Sequence, residues 1–415
     1  MRTPCCIASH LSHSCVDHLY PLASLVNASR TIRAFGPRPD TVGDLSTFIT
    51  RLDADGNGVR LAVKDVIDVE GVPTTAGCRA VADAAQPSVA DAPLLAGARA
   101  AGARIVGKTN LHELGFGTTG INLSFGTPVN PIDANRVPGG SSSGSAVAVG
   151  DGDADIAFGS DTGGSIRIPS ACCGISGLKT TQGRISLVGV WPLAPSLDTI
   201  GPMAKDIAGL VAGMQLLEPG FAPVPRFSPM VGRLRPADTD PTLEDAITAV
   251  LDESEADVVD IDLPGWIAAE QATGVLILSQ AWEADGHLLR RRDAVGHDVA
   301  ARLEAGRSIT DQQRVDARET AVQWKAQLAA VLSRVQFVVL PTMKTFPPFV
   351  AEHPERSNLS ALTQPVNLAG LPALALPIAS TGPVPTSMQV IGSGHSEELL
   401  LAAGLHFEAA ARSLD

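Results

Sequence analysis

Short apolar runs alternate along the chain with stretches of helical periodicity, and this alternation sets out its elements. Residues 58–67 gather aliphatic and β-branched side chains into a run that predicts a strand. An alanine-rich stretch at 92–101 predicts a helix feeding a strand at 104–108. Small residues at 142–149 predict another helix, with short strands at 155–159 and 176–179. Helices are expected at 205–217, 241–252, 280–292 and 309–332. A strand over 335–340 stops at Pro341, two more follow at 373–377 and 386–391, and a helix over 396–411 closes the pattern. Strands interleaved with helices predict the α/β class: one large domain, residues 31–415, with a mixed, mostly parallel sheet covered by helices on both faces. Within it, residues 58–200 and 336–411 read as the core and 205–335 as a helical covering region. Residues 1–30 lack the periodicity needed to join a core and read as an unstructured or variable leader.

Composition narrows the class. The 415 residues show no linker or repeat, and only 4% are aromatic, so the core is aliphatic. A formal charge of −13 argues against a basic nucleic-acid surface. No apolar run approaches the length of a membrane span, and no secretory signal fits, so a cytoplasmic protein is expected. Six cysteines make no disulfide framework in a chain this long. Cys5, Cys6 and Cys15 lie among His10, His13 and His18 but lack paired zinc-ligand spacing, so no metal is expected.

Chemistry concentrates between Pro138 and Thr181, where two serine clusters are set in glycine. A turn such as Asp161-Thr162-Gly163-Gly164-Ser165 can aim several N–H groups at one point beside a hydroxyl, because glycine lets backbone approach a ligand closely. Acyl transfer by a serine needs that combination. Three familiar patterns in the chain do not qualify. Gly102–Thr109 fits the phosphate-loop spacing, but its variable residues form a strand instead of a loop. Gly140-Ser141-Ser142-Ser143-Gly144 fits a nucleophile elbow without the strand that should precede it, and Ser176-Gly177-Leu178-Lys179 fits S-x-x-K without its companion tripeptides.

Lys64, inside Val63-Lys64-Asp65, joins these clusters in one ordered set. The set runs through Gly139-Gly140-Ser141-Ser142-Ser143-Gly144-Ser145 and Asp161-Thr162-Gly163-Gly164-Ser165-Ile166-Arg167 to Asn367-Leu368-Ala369-Gly370-Leu371-Pro372. From about Gly58 to Glu408 the chain resembles the amidase signature family. The resemblance implies Ser165 as nucleophile, Ser141 as a bridging serine in a cis peptide bond, and Lys64 as base. It also implies an oxyanion hole of N–H groups from Thr162, Gly163, Gly164 and Ser165. A lysine serves as base only when largely neutral, which burial in an apolar strand promotes. Asp161 and Arg167 are expected to form an ion pair propping the turn, and Cys172 and Cys173 to be packing residues. His112 is expected to sit at a solvated helix start, away from the chemistry.

The implied reaction is hydrolysis of a small carboxylic acid amide through an acyl-enzyme, without cofactor or metal. The expected partner is a small-molecule amide, with no nucleic acid and no membrane, and a homodimer as the simplest assembly. An alternative within the resemblance is the amidotransferase subunit that feeds ammonia from glutamine to a tRNA-bound acid; another is a non-catalytic binding homologue.

Overall fold

The computed structural model describes residues 46–53, 56–224 and 230–414, which fall within one compact unit. The expected leader, with Cys5, Cys6, Cys15, His10, His13 and His18, lies outside the described residues.

The strands are β1 (Phe48–Arg51), β2 (Arg60–Lys64), β3 (Arg104–Thr109), β4 (Ile156–Asp161), β5 (Ser176–Lys179), β6 (Thr199–Ala204), β7 (Met230–Arg233), β8 (Asp257–Asp260), β9 (Phe337–Pro341), β10 (Ala373–Ile378) and β11 (Thr386–Ile391). They form a single sheet in the order β1-β3-β2-β4-β6-β5-β10-β11-β9-β7-β8. The sheet is mixed, as expected, but parallel pairs are not the majority. Only β2–β3, β2–β4, β7–β8 and β7–β9 run parallel among the described pairs. The antiparallel centre arises because β5 and β6, and later β10 and β11, return without a crossover helix.

The helices are α1 (Arg79–Ala82), α2 (Ala96–Ala100), α3 (Ser143–Gly150), α4 (Arg167–Cys172), α5 (Ile207–Leu217), α6 (Pro241–Glu253), α7 (Trp266–Asp285), α8 (His297–Arg307), α9 (Asp311–Leu332), α10 (Gln364–Ala369) and α11 (Glu397–Ser413). On β4, Ile156 meets α5 beside Gly213, while Gly159 points at Ser142 and Ile166. Opposite parity along a strand means opposite faces, so α5 and the α3–α4 segments sandwich the sheet. Leu61, Ala62 and Val63 are fully buried, which explains the unbroken apolar run of β2.

Residues 205–335 do more than cover: they add β7 and β8 to the sheet. The helix expected at 280–292 instead starts at Trp266 and ends at Asp285, followed by a 3-10 segment to Ala294. α7 packs against α8, α9 and α10. A helix enclosed this way is apolar on several sides and loses the one-faced pattern that marks a helix in sequence.

Candidate active site

Lys64 ends β2 with no exposed surface. Its Nζ donates to Ser141 Oγ at 2.7 Å and to Ser160 Oγ, on the adjacent β4, at 2.8 Å. Burial lowers its pKa to about 7, against the opposing charges of Asp161 and Asp198. A substantial neutral fraction near neutral pH follows, which is the state a general base needs.

Ser141 precedes α3, and the Gly140–Ser141 peptide is cis. Gly139 has φ of +73°, and a Cβ there would meet Pro169 Cα and Cys172 Sγ at 2.8 Å, so only glycine fits. The segment is held from its other side by the loop before it. The Gly140 N–H donates to the Thr118 carbonyl at 2.7 Å, and the His112 N–H to the Ser141 carbonyl at 3.0 Å.

Ser165 sits just past the end of β4. The Ser142 N–H donates to its carbonyl at 3.1 Å, tying the two serine clusters together. No hydrogen bond links the Ser141 and Ser165 hydroxyls among the described residues; catalytic contacts without substrate are commonly longer than in the reacting complex. Gly164 adopts φ of +127°, and a Cβ would come within 2.2 Å of Thr363 Oγ1.

The turn is wired from beneath. Asp161 accepts from the Gly164 N–H at 2.8 Å and the Ile166 N–H at 3.1 Å, and pairs with Arg167 at 2.9 Å, both side chains fully buried. Arg167 also donates to Gln389 Oε1 and Asn367 Oδ1, while Asn367 Nδ2 returns to Asp161 Oδ1 at 2.8 Å. Burial opposes ionisation of Asp161, yet the Arg167 charge holds its carboxyl well below the usual carboxylate range. The expected ion pair is thus present as a closed network. It also corrects the expected oxyanion hole. The Gly164 N–H is committed to Asp161, which leaves Thr162, Gly163 and Ser165 as the candidate donors.

His112 departs from expectation. It is 3% exposed, with Nε2 3.0 Å from Asp298 Oδ2, because the loop 112–117 is roofed by α8. Cys172 and Cys173 are buried packing residues, and burial pushes both thiols up. Lys108 of the rejected phosphate loop pairs with Asp65 at 3.0 Å, and Lys179 of the S-x-x-K match donates to the Thr180 and Leu371 carbonyls. Two further residues of the site, Ser160 and Asp198, carry no sequence signal of their role. Ser160 is in plain view beside Asp161, but only the pairing of β2 with β4 brings it to Lys64. Asp198 accepts from Thr162 Oγ1 at 2.6 Å and from the Leu193 and Ala194 N–H groups, a partnership across 36 residues with no local pattern.

Comparison with known proteins places this geometry. The sequence profile of the Amidase family matches residues 56–239 and 248–401. A glutamyl-tRNA(Gln) amidotransferase subunit from Halobacterium salinarum is 34% identical, over 88% of this chain and 99% of that one. The subunit of the same name from Thermus thermophilus is 34% identical over 85% and 84%. Among solved structures, a crystal structure of an amidase superposes with a TM-score of 0.79 at 30% identity, covering 85% of this chain and 84% of that one. A chain of a vestigial protein complex that reveals the evolutionary origins of an s-triazine catabolic enzyme superposes with a TM-score of 0.78 at 27% identity, covering 86% of this chain and 84% of that one.

These relatives overturn one expectation, that of a small-molecule amide as partner with no nucleic acid. Their name is that of one component of an amidotransferase for glutamyl-tRNA(Gln). A net charge of −13 describes one chain, and in a component of an assembly it does not exclude a polyanion bound by the partners. No helix among the described residues is long and apolar enough to cross a membrane. Profile, relatives and fold agree, and the chain belongs to the amidase signature family, hydrolases acting on C–N bonds.

Proposed function

We infer that the chain is the amide-cleaving component of an amidotransferase, releasing ammonia from an amide donor such as glutamine for transfer to an acid carried on tRNA. Lys64 takes the Ser141 proton as Ser141 takes that of Ser165, and Ser165 Oγ bonds to the amide carbon. The C–N bond breaks as the relay returns the proton to nitrogen, giving ammonia. Water then cleaves the acyl-enzyme with the same groups acting in reverse. The oxyanion is met by the Thr162, Gly163 and Ser165 N–H groups, each donor of this kind being worth about 3–4 kcal/mol.

The observation that carries this reading is the 2.7 Å contact of a fully buried Lys64 Nζ with Ser141 Oγ. Of the other fully buried lysines, Lys179 donates to two carbonyl oxygens and Lys108 pairs with the Asp65 carboxylate; Lys64 faces two hydroxyls instead. The amidotransferase role rests on the relatives' shared name and their coverage. Substrate would meet α7 and α10, since a Cβ on Gly163 would lie 3.2 Å from Ile277 Cδ1 and 3.3 Å from Gln364 Cγ.

The test is ammonia release from amide-labelled glutamine by the purified chain, with Ser165→Ala as control. Release that the substitution abolishes supports the reading. Hydrolysis of simple anilides with none of glutamine would remove the amidotransferase role and leave only amide cleavage.

A further inference from the structure

The loop 112–118 wraps the bridging serine. Its His112 N–H donates to the Ser141 carbonyl, its Thr118 carbonyl accepts from the Gly140 N–H, and Gly115 lies close enough that a Cβ would be 3.7 Å from Ser141 Oγ. The same loop is gripped from above by the start of α8. His112 Nε2 meets Asp298 Oδ2 at 3.0 Å, the Gly296 N–H donates to Glu113 Oε2 at 2.6 Å, and Arg302 donates to the Phe116 carbonyl. The ring is locked in place, since a Cβ on Gly117 would overlap it at 2.1 Å from Nε2. Thr119 Oγ1 lies 3.4 Å from Nδ1. Arg302 Nη1 lies 3.4 Å from Nε2, and the nearer carboxylate, an acceptor only, is satisfied by the tautomer protonated at Nε2, which leaves Nδ1 facing the threonine hydroxyl. Loop and helix lie 186 positions apart between His112 and Asp298, so the contact joins the covering helices to the centre of the relay.

We propose that His112 and Asp298 form a positioning clasp, through which the covering helix α8 sets the place of the bridging serine between Lys64 and the nucleophile. His112 touches no reacting atom by side chain; it acts through its backbone N–H on Ser141. Burial lowers the pKa of the imidazole, and the Arg302 and Lys64 charges add to that, against the pull of Asp298. The ring nitrogens face Asp298, Arg302 and Thr119 instead of the Ser141 or Ser165 hydroxyls, so no second base is implied at this position. Loosening the clasp frees Ser141 and admits water to Lys64, whose other charged neighbours are Asp161 and Asp198. A hydrated Lys64 moves back towards its ordinary value. Losing the clasp should therefore slow acylation and push its pH dependence alkaline, with little effect on affinity.

This inference rests on the assignment of Ser165 as nucleophile, and the experiment separates the two. The probe is phenylmethylsulfonyl fluoride, followed by intact mass from pH 6 to 10. The Ser165 oxygen bonds to sulfur, the S–F bond breaks, fluoride leaves, and the proton passes into the relay. In His112→Ala and Asp298→Ala the limiting labelling rate should fall about tenfold. The half-saturating probe concentration should stay within about twofold, and the pH midpoint should rise by roughly half a unit or more. His112→Gln, which can still donate to Asp298, should recover most of the rate. Asp298 is part-exposed, so its variant remains informative if the His112 cavity mutant folds poorly. Unchanged rate and midpoint in both alanine variants would overturn the clasp, as would a loss confined to half-saturation. A wild-type protein that is not labelled at Ser165 would instead remove the nucleophile assignment itself.

Discussion

At the nucleophile turn every charge is sealed: Asp161 and Arg167 have no exposed surface and share Asn367 as a partner, and Arg167 donates also to Gln389. On the outer side of the covering segments charges face water, as where Arg292 and Glu304 pair with about half of each side chain exposed. The turn is a fixed instrument, because a buried charge network tolerates almost no rearrangement. The cover is held by packing of α7, α8 and α9 with surface ion pairs that contribute little. Chemistry should therefore be sensitive to single atoms below the turn, and tolerant to the water-facing charges above it, the Asp298 carboxylate that holds His112 excepted.

The largest effect should come from the reacting groups. Ser165→Ala and Lys64→Ala should each lower turnover to roughly a thousandth or less while leaving the unfolding curve near wild type, since the members of a relay act as a unit. Retention of a tenth of the wild-type rate in either would break the comparison at its root. Next comes the sealed pair. Arg167→Met should cost about 3–5 kcal/mol in urea unfolding, because it strands the Asp161 carboxylate without its partner.

A smaller effect marks the border between the two regions. Asp285, at the end of α7, takes the Trp191 indole N–H at 3.1 Å, and burial raises its pKa to about 7, with the Asp198 charge adding to the rise. A carboxyl whose folded pKa is raised binds more protons folded than unfolded between about pH 4 and 7. Stability from this group is thus lost as pH climbs through that window. Asp285→Asn should raise Tm by a few degrees at pH 8 and change it little at pH 4, by calorimetry at both values. An equal shift at both would show that the carboxyl does not titrate there. Smallest of all, Arg292→Ala should shift stability by less than about 1 kcal/mol and leave kinetics alone.

The same contrast governs what the sequence discloses. The site lies on short segments where local geometry dictates residue type: Gly139 and Gly164 because no Cβ fits, Ser141 and Ser165 because they stand beside those turns. Lys64 is legible because a lone lysine follows the buried apolar run Leu61-Ala62-Val63. The cover is not legible in this way. α7 is enclosed and loses its periodicity, α8 is short and polar, and β8 is an exposed four-residue edge that reads as loop. The burial of His112 is hidden for a related cause. Leu111 and Leu114 beside it are buried, but the roof over the ring is built by α8, which begins only at His297 and leaves no mark in the local sequence. The commitment of the Gly164 N–H to Asp161 is equally hidden, since it depends on the carboxylate folding back beneath its own turn.

The most direct test of the account is the pH dependence of Ser165 acylation in the wild-type protein, set beside that of His112→Gln. A buried Lys64 base predicts one single-proton limb with a midpoint near 7 and a plateau in the mildly alkaline range, retained when the imidazole is gone. A limb that vanishes with His112, or a rate that climbs without plateau towards pH 10 as an ordinary lysine would require, would contradict it.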